Sequence, residues 1–209
     1  MKLKLKTIYK PTGDQPKVSK QFFVMLVGFS QSGKTTLAKK IAKEFAPFFT
    51  RINSDSIHDF LNMNYKVFQD DKTITGKSYD LRRKTTSAIK KVLIKELIAS
   101  HYSVILDSCN LSKAGRLELL RAVKKVKKDI VTVTIFVKIP EIILYKNLRR
   151  ADKKKKARGE KAAWVDLYEK VQKAKLDKPH KNEADYLLIY NYPGEKSILE
   201  QVRTIIFKK

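Results

Sequence analysis

The sequence is short of the residues that build covalent or metal-bound scaffolds, with one cysteine, Cys109, and three histidines. One thiol excludes a disulfide framework and a Cys-rich zinc module, and three imidazoles are a poor basis for a histidine metal cage. No hydrophobic run approaches the ~18 residues that a membrane-crossing helix requires; the longest, Phe22 to Gly28, has the length of a strand. The amino terminus, Met1-Lys2-Leu3-Lys4-Leu5-Lys6, has neither the apolar stretch of a signal peptide nor the Arg/Ser-rich pattern of a transit peptide. A soluble, cytoplasmic protein is expected. Acidic side chains are scarce too: 21 Asp and Glu stand against 46 Lys and Arg, for a net charge of +25. Such a field attracts phosphate polyanions, which makes nucleic acid a candidate partner. Only nine of those cations are arginine, and a compositional bias toward lysine would leave the same signature, so composition holds both readings open.

What is present is enough for one core. The chain has 209 residues, 43% of them hydrophobic, and 20 aromatic side chains, which predicts one main domain. Residues 1 to 20 carry Pro11, Gly13, Asp14 and Pro16 and read as an arm ahead of a domain spanning 21 to 209. Phe22 to Gly28 reads as a strand buried on both faces. A glycine loop follows, then a helix from Thr35 to Phe45 on Leu37, Ile41, Ala42 and Phe45. The alternation continues with strands at Phe49 to Asn53, Tyr102 to Asp107, Ile130 to Lys138 and Tyr186 to Tyr190. Helices are expected around Ile57 to Met63, over Asp80 to Ser100 on a stripe of Leu81, Ala88, Ile89, Val92, Leu93 and Leu97, and over Lys113 to Lys128. Others follow from Pro140 to about Arg150, over Ala162 to Leu176, and from Lys196 to Phe207. Strands alternating with helices imply an α/β fold with a parallel sheet covered on both faces. The stretch Asp152 to Glu160 is too charged to bury. It sits in a segment, Lys146 to Lys175, whose twelve basic and four acidic residues hold about a third of the net charge; charge runs of this kind are ordinarily solvated faces.

The chemistry begins at Gly28-Phe29-Ser30-Gln31-Ser32-Gly33-Lys34-Thr35, a full match to G-x-x-x-x-G-K-[ST] between a strand and a helix. The glycines let the backbone curl so that successive N–H groups face one anion, and the following helix adds its positive end. Gly28, Ser30, Gln31, Ser32, Gly33, Lys34, Thr35 and Thr36 are therefore the candidate nucleotide-binding residues. Lys34 would reach the β- and γ-phosphates, and the Thr35 hydroxyl would ligate Mg²⁺. In open parallel sheets ligands bind at the carboxyl ends of strands, which puts Asp55 beside the loop. There it either receives the proton of an attacking hydroxyl or caps the helix that follows. Asp107 ends an apolar strand as a Walker-B-like aspartate would, either to hold the water shell of Mg²⁺ or to orient a substrate-binding side chain. His58 is a substrate contact or a surface histidine with equal standing; Cys109 reads as a small packing residue, and Trp164 as core.

These residues resemble the P-loop kinases typified by polynucleotide 5′-hydroxyl kinases, with zeta-toxin-like kinases as relatives, over Phe22 to Tyr190. The resemblance implies a P-loop NTPase/kinase fold of about five parallel strands with a helical lid, and ATP with Mg²⁺ as cofactors. It makes Lys34, Asp55 and Arg150 the catalytic residues, with Thr35 and Asp107 at the metal. Asp107-Ser108-Cys109-Asn110-Leu111 resembles the family signature D-x-(T/S)-N-L with Cys109 in place of the hydroxyl residue. His58 stands where the family usually has an arginine for the acceptor's phosphate. Lys146 to Arg150 resembles the lid helix, with Arg149 and Arg150 in the lid positions. His58, Asn110 and Arg149 are the implied substrate contacts. The expected activity is ATP-dependent phosphorylation of a hydroxyl, foremost the 5′-hydroxyl of DNA or RNA. The alternatives are a small-molecule kinase acting on a nucleotide sugar or sugar acid, and a nucleic-acid-binding ATPase.

Overall fold

The structure, a computed structural model, describes residues 20–68, 77–159, 162–192 and 194–208; the arm expected over residues 1 to 20 lies outside them apart from Lys20. Five strands, β1 (Phe22–Val27), β2 (Phe49–Asn53), β3 (Ser103–Asp107), β4 (Val131–Lys138) and β5 (Tyr186–Asn191), form one parallel sheet in the order β2-β3-β1-β4-β5. β1 is central, and all six of its residues are buried, as expected of a parallel strand with helices on both sides. Its side chains divide by parity. Phe22, Val24 and Leu26 pack with Leu37, Ala38 and Ile41 of α1 (Lys34–Glu44) and with Ile198, Val202 and Ile206 of the C-terminal helix (Glu195–Ile206). Phe23, Met25 and Val27 pack on the other side with Ile94 and Ile98 of one helix and Leu119, Leu120 and Val123 of another. The loop at the end of β1 is thus held by two independent cores.

The remaining helices are α2 (Ser54–Asn64), α3 (Lys77–Ala99), α4 (Lys113–Val126), α5 (Glu141–Ala157), α6 (Trp164–Leu167), α7 (Lys173–Lys175) and α8, the C-terminal helix just given. Three depart from expectation. In α3 the buried residues are Thr86, Ile94 and Ile98, whereas Leu81, Val92 and Leu93 of the expected stripe are exposed. The helix, ~35 Å long, is about twice the length of the five-residue strand beneath it, so it overhangs the sheet. α5 runs seven residues past Arg150, through the lysines. Lysine is a good helix former, and cations at a helix C-terminus interact favourably with its dipole. The helix expected over Ala162 to Leu176 is instead α6 and α7 joined by a π-helical turn, Tyr168–Gln172, whose buried residues are Tyr168 and Gln172. Tyr168 joins Leu144 and Leu148 of α5 in a small third core, against which Trp164, Val165 and Phe29 of the glycine loop pack.

Candidate active site

The loop between β1 and α1 holds its shape through its glycines. Gly28 has φ +153°, and a Cβ there would meet Ser32 Oγ and Val137 O at 3.1 Å; Gly33 has φ +95° and lies against the Tyr192 ring. Gly28 N–H donates to Cys109 O at 3.0 Å, and Ser32 N–H to Phe29 O at 3.2 Å. Buried Lys34 reaches back across the loop, its Nζ donating to Phe29 O. It spans the concavity in which a phosphate would lie.

Asp107, at the end of β3 and only 2% exposed, is held by donors from three directions. Thr35 Oγ1 donates to its Oδ1 at 3.3 Å, while Arg51 Nη1 at 2.6 Å and Asn53 Nδ2 at 2.8 Å donate to Oδ2. Arg51 therefore neutralises one oxygen and leaves the other beside the Thr35 hydroxyl. Two hard oxygens side by side suit Mg²⁺, which takes one or two protein ligands and completes its shell with phosphate oxygens and water. Among the described residues no group of three or more His, Cys, Asp or Glu converges as a self-sufficient metal site.

Asp55 lies in the first turn of α2, across the cleft from the loop. Capping does not account for it, because Asn53 is the N-cap, its Oδ1 accepting from Ser56 N at 2.7 Å. Although Asp55 opens to the cleft, the mass of protein around it makes charging costly, and this burial raises its carboxyl above the ordinary value. Lys34 opposes that rise, Asp107 and Asp59 add to it, and Lys155 opposes it.

A cleft of about 580 Å³ joins these groups, lined by the loop, Thr35, Thr36, Asp55, Asp107, Ser108 and Cys109 on the sheet side. Asn147, Arg150, Ala151, Lys154 and Trp164 line it on the lid side, with Tyr192 from the β5–α8 connection. The lid grips the loop directly. Gln172 Oε1 accepts from Ser30 N at 2.9 Å, Gln172 Nε2 donates to Ser30 Oγ at 2.7 Å, and Asn147 Nδ2 donates to Gln31 O at 3.1 Å.

Of the residues the sequence singles out, the cleft brings together Ser30, Gln31, Gly33, Lys34, Thr35, Thr36, Asp55, Asp107 and Arg150. Gly28 and Ser32 support the loop from beneath it. Three expected substrate contacts lie elsewhere. Asn110, at φ +48°, spends its amide on Leu26 O at 2.7 Å and Ser108 O at 3.2 Å, which ties β3 to β1. Arg149 lies over the Tyr145 ring, 5.9 Å from its centroid. His58 packs 6.2 Å from the Tyr79 ring, where burial and then the Arg82 charge lower its pKa to about 4, so it is neutral at neutral pH. Trp164, expected in the core, is partly buried at the cleft rim, with Lys155 Nζ 5.2 Å above its ring. Sequence reasoning missed Gln172, Lys154, Tyr192, Arg51 and Asn53. Arg51 and Asn53 flank the strand end that exposes Asp55 and were within reach of it. Nothing local marks Gln172, whose role depends on a π turn.

A family profile described as chromatin associated protein KTI12 matches residues 23–209. No curated protein sequence matches the chain. Among solved structures, the chain is similar to Kti12 of Chaetomium thermophilum in complex with ADP-AlF3, at 15% identity and TM-score 0.60, over 88% of this chain and 98% of that one. It is similar to an unliganded sugar kinase from Janibacter at 17% identity and TM-score 0.60, over 90% and 96% of the two chains. A protein of the PezAT toxin–antitoxin system of Streptococcus pneumoniae, at 14% identity and TM-score 0.62, matches over 91% and 80%. At such identities these likenesses establish the fold, that of the P-loop kinases, in agreement with the sequence resemblance. The profile, which spans nearly all of the chain, resolves the family within that fold: the chain belongs to the KTI12 family.

Proposed function

We propose that the cleft binds a nucleoside triphosphate with Mg²⁺ and transfers its γ-phosphoryl group to a hydroxyl, foremost the 5′-hydroxyl of a polynucleotide. The observation that carries this reading is Asp55. A carboxylate that is not a cap, not a partner of the Asp107 cluster, and open to the cleft with its pKa raised above the ordinary value by its surroundings is suited to a general base. Asp55 takes the proton of the attacking hydroxyl as that oxygen bonds to the γ-phosphorus. The bond to the β,γ-bridging oxygen breaks, and the nucleoside diphosphate leaves.

The loop amides hold the phosphates, and Lys34 leaves Phe29 O to lie along them. Thr35 would ligate the metal, with Asp107 beside it; bound Mg²⁺ supplies charge neutralisation at the β- and γ-oxygens. Arg150 and Lys154, one helical turn apart on α5, face the cleft and stabilise charge on the transferring group. The excess of 25 positive charges supports a polyanionic acceptor, because it raises the local concentration of nucleic acid at the lid. A second reading, hydrolysis with water as acceptor, draws support from membership of a family described by chromatin association rather than by phosphorylation.

The test is transfer of labelled γ-phosphate from ATP to 5′-hydroxyl DNA and RNA oligonucleotides and to a panel of hydroxyl metabolites, with free phosphate counted in parallel. Label on the oligonucleotide is expected. Asp55→Asn should cut that transfer by about a hundredfold or more while leaving ATP affinity in place. Label on a metabolite alone would move the acceptor to small molecules. Free phosphate alone would establish the hydrolytic reading, and an equal loss of ATP binding in Asp55→Asn would remove it from the acceptor side.

A further inference from the structure

Three consecutive residues of the phosphate loop are held by the lid. The Phe29 ring packs edge-on against Tyr168, with centroids 5.0 Å apart and planes at 82°, inside the lid's own small core. Ser30 is held by Gln172 through its N–H and its hydroxyl, and Gln31 O by Asn147. The loop is therefore docked on two bodies at once, the sheet through Gly28 and the lid through the next three residues. Gln172 is the polar centre of this contact and is 7% exposed.

We propose that Gln172 is a positioning residue that couples the lid to the phosphate loop, so that lid closure and nucleotide affinity are one equilibrium. An amide suits this place because it accepts and donates at once. Its Oε1 satisfies the Ser30 N–H, and its Nε2 the Ser30 hydroxyl. The π turn holds Tyr168 and Gln172 on the same inward side, so the ring that carries Phe29 and the amide that carries Ser30 move as one piece. When the lid swings away, the Ser30 amide loses its partner and Phe29 its packing, and the loop leaves the shape that receives phosphates. Conversely, whatever fills the loop favours the docked lid, because linkage between two equilibria is reciprocal. The contact acts through the loop and touches no reacting atom. It rests on the nucleotide-binding part of the function proposed above and on neither choice of acceptor.

The sequence supplies its own probe, since Trp164, the only tryptophan, sits in the lid with its backbone N–H donating to Asp152 at 2.8 Å. The experiment compares the full chain with Gln172→Met, a substitution of similar length that neither donates nor accepts as an amide does. It reads acrylamide quenching of Trp164 without nucleotide, and affinity for a fluorescent analogue of ADP. Leaving the Ser30 donor unpaired predicts about a tenfold loss of affinity, driven by faster release. Quenching should rise severalfold, and melting temperature should hold. Increased quenching with unchanged affinity would overturn the coupling, and lost affinity with unchanged quenching would overturn the lid's part in it. If Gln172→Met does not fold, Ser30→Ala removes the hydroxyl half of the contact and should move both readouts in the same directions by less; no movement overturns the proposal. A parent chain that binds no nucleotide would overturn the function, whereas unchanged quenching in the variant overturns the latch whether or not nucleotide binds.

Discussion

The two walls of the cleft are built on opposite principles. On the sheet side, Asp107 is almost fully buried with all of its partners supplied by neighbouring strands and α1, and the turn behind it is tied down by Asn110. On the lid side the charges that line or flank the cleft stand in solvent: Arg150, Lys153 and Lys154 are exposed, and the polar contacts to the phosphate loop come from two amides, Gln172 and Asn147. Buried polar groups that are fully satisfied specify one geometry, while exposed charges supply field without position. The sheet wall is therefore suited to fixing the metal and phosphates of the proposed transfer, and the lid wall to the proposed closure over them.

The strongest way to break this contrast is to disturb the frame beneath the sheet wall. Arg116, fully buried, makes a bidentate pair with Glu183 at 2.7 and 2.9 Å, and its Nη1 donates to Asn110 O and Leu111 O, just beyond Asp107. Burial alone would raise the Glu183 pKa, but hydrogen bonds from Arg116 and the His180 N–H hold it below the ordinary value. A depressed carboxyl pKa contributes stability that is present above its unfolded value and is lost as pH falls through its folded value. Arg116→Met should cost about 3–5 kcal/mol, because it strands a buried carboxylate. Denaturant unfolding at neutral pH measures that loss, and the gap from the parent should narrow in acid. A loss under 1 kcal/mol would show that the pair contributes little to holding the turn.

How much of this could be read in the sequence follows the same division. β2 runs from Phe49 to Asn53 as the chain predicts, and the other strands lie within one residue of expectation; β1 and β3, buried along their whole length, announce themselves as short apolar runs. Gly28, Gly33 and Lys34 are legible because backbone curvature and phosphate chemistry demand those residue types at that spacing. The stripe on α3 misleads because apolar period alone says neither how far a helix overhangs its sheet nor which side it turns inward; Val92 and Leu93 face outward although their neighbour Ile94 packs in the core. The lid is legible in its charge but not in its shape. No local rule marks Tyr168–Gln172 as a π turn, and Gln172 acquires its role from a loop 142 residues away.

A smaller effect is expected from the lid's lysines. Lys154 lines the cleft and Lys155 lies over Trp164, while Lys153 and Lys156 point into solvent. Replacing Lys153 to Lys156 with glutamine should weaken binding of a single-stranded oligonucleotide. It should also flatten the log–log salt dependence by up to about three, at roughly 0.7 for each phosphate no longer neutralised, with melting temperature nearly unchanged. An unchanged slope would leave this run as a solvated helix end.

The smallest effect is the one that joins the two walls. Asp55 takes a proton only when ionised, so the acid limb of kcat/KM for the proposed transfer should follow its pKa, which burial raises above the ordinary aspartate value. Two neighbours outside the cleft lining bear on it with opposite signs. Asp59, one turn along α2, raises it by like charge, and Lys155, from the lid, lowers it. Asp59→Asn should move the acid limb to lower pH, and Lys155→Gln should move it to higher pH, each with little change in the plateau rate. Asp55→Asn, by removing a carboxyl that the fold charges only at a cost, should raise the melting temperature at neutral pH. If Lys155→Gln moved the limb in the same direction as Asp59→Asn, or left it in place, the lid would not be close enough to the base for its charge to act there, and the two walls would be chemically independent.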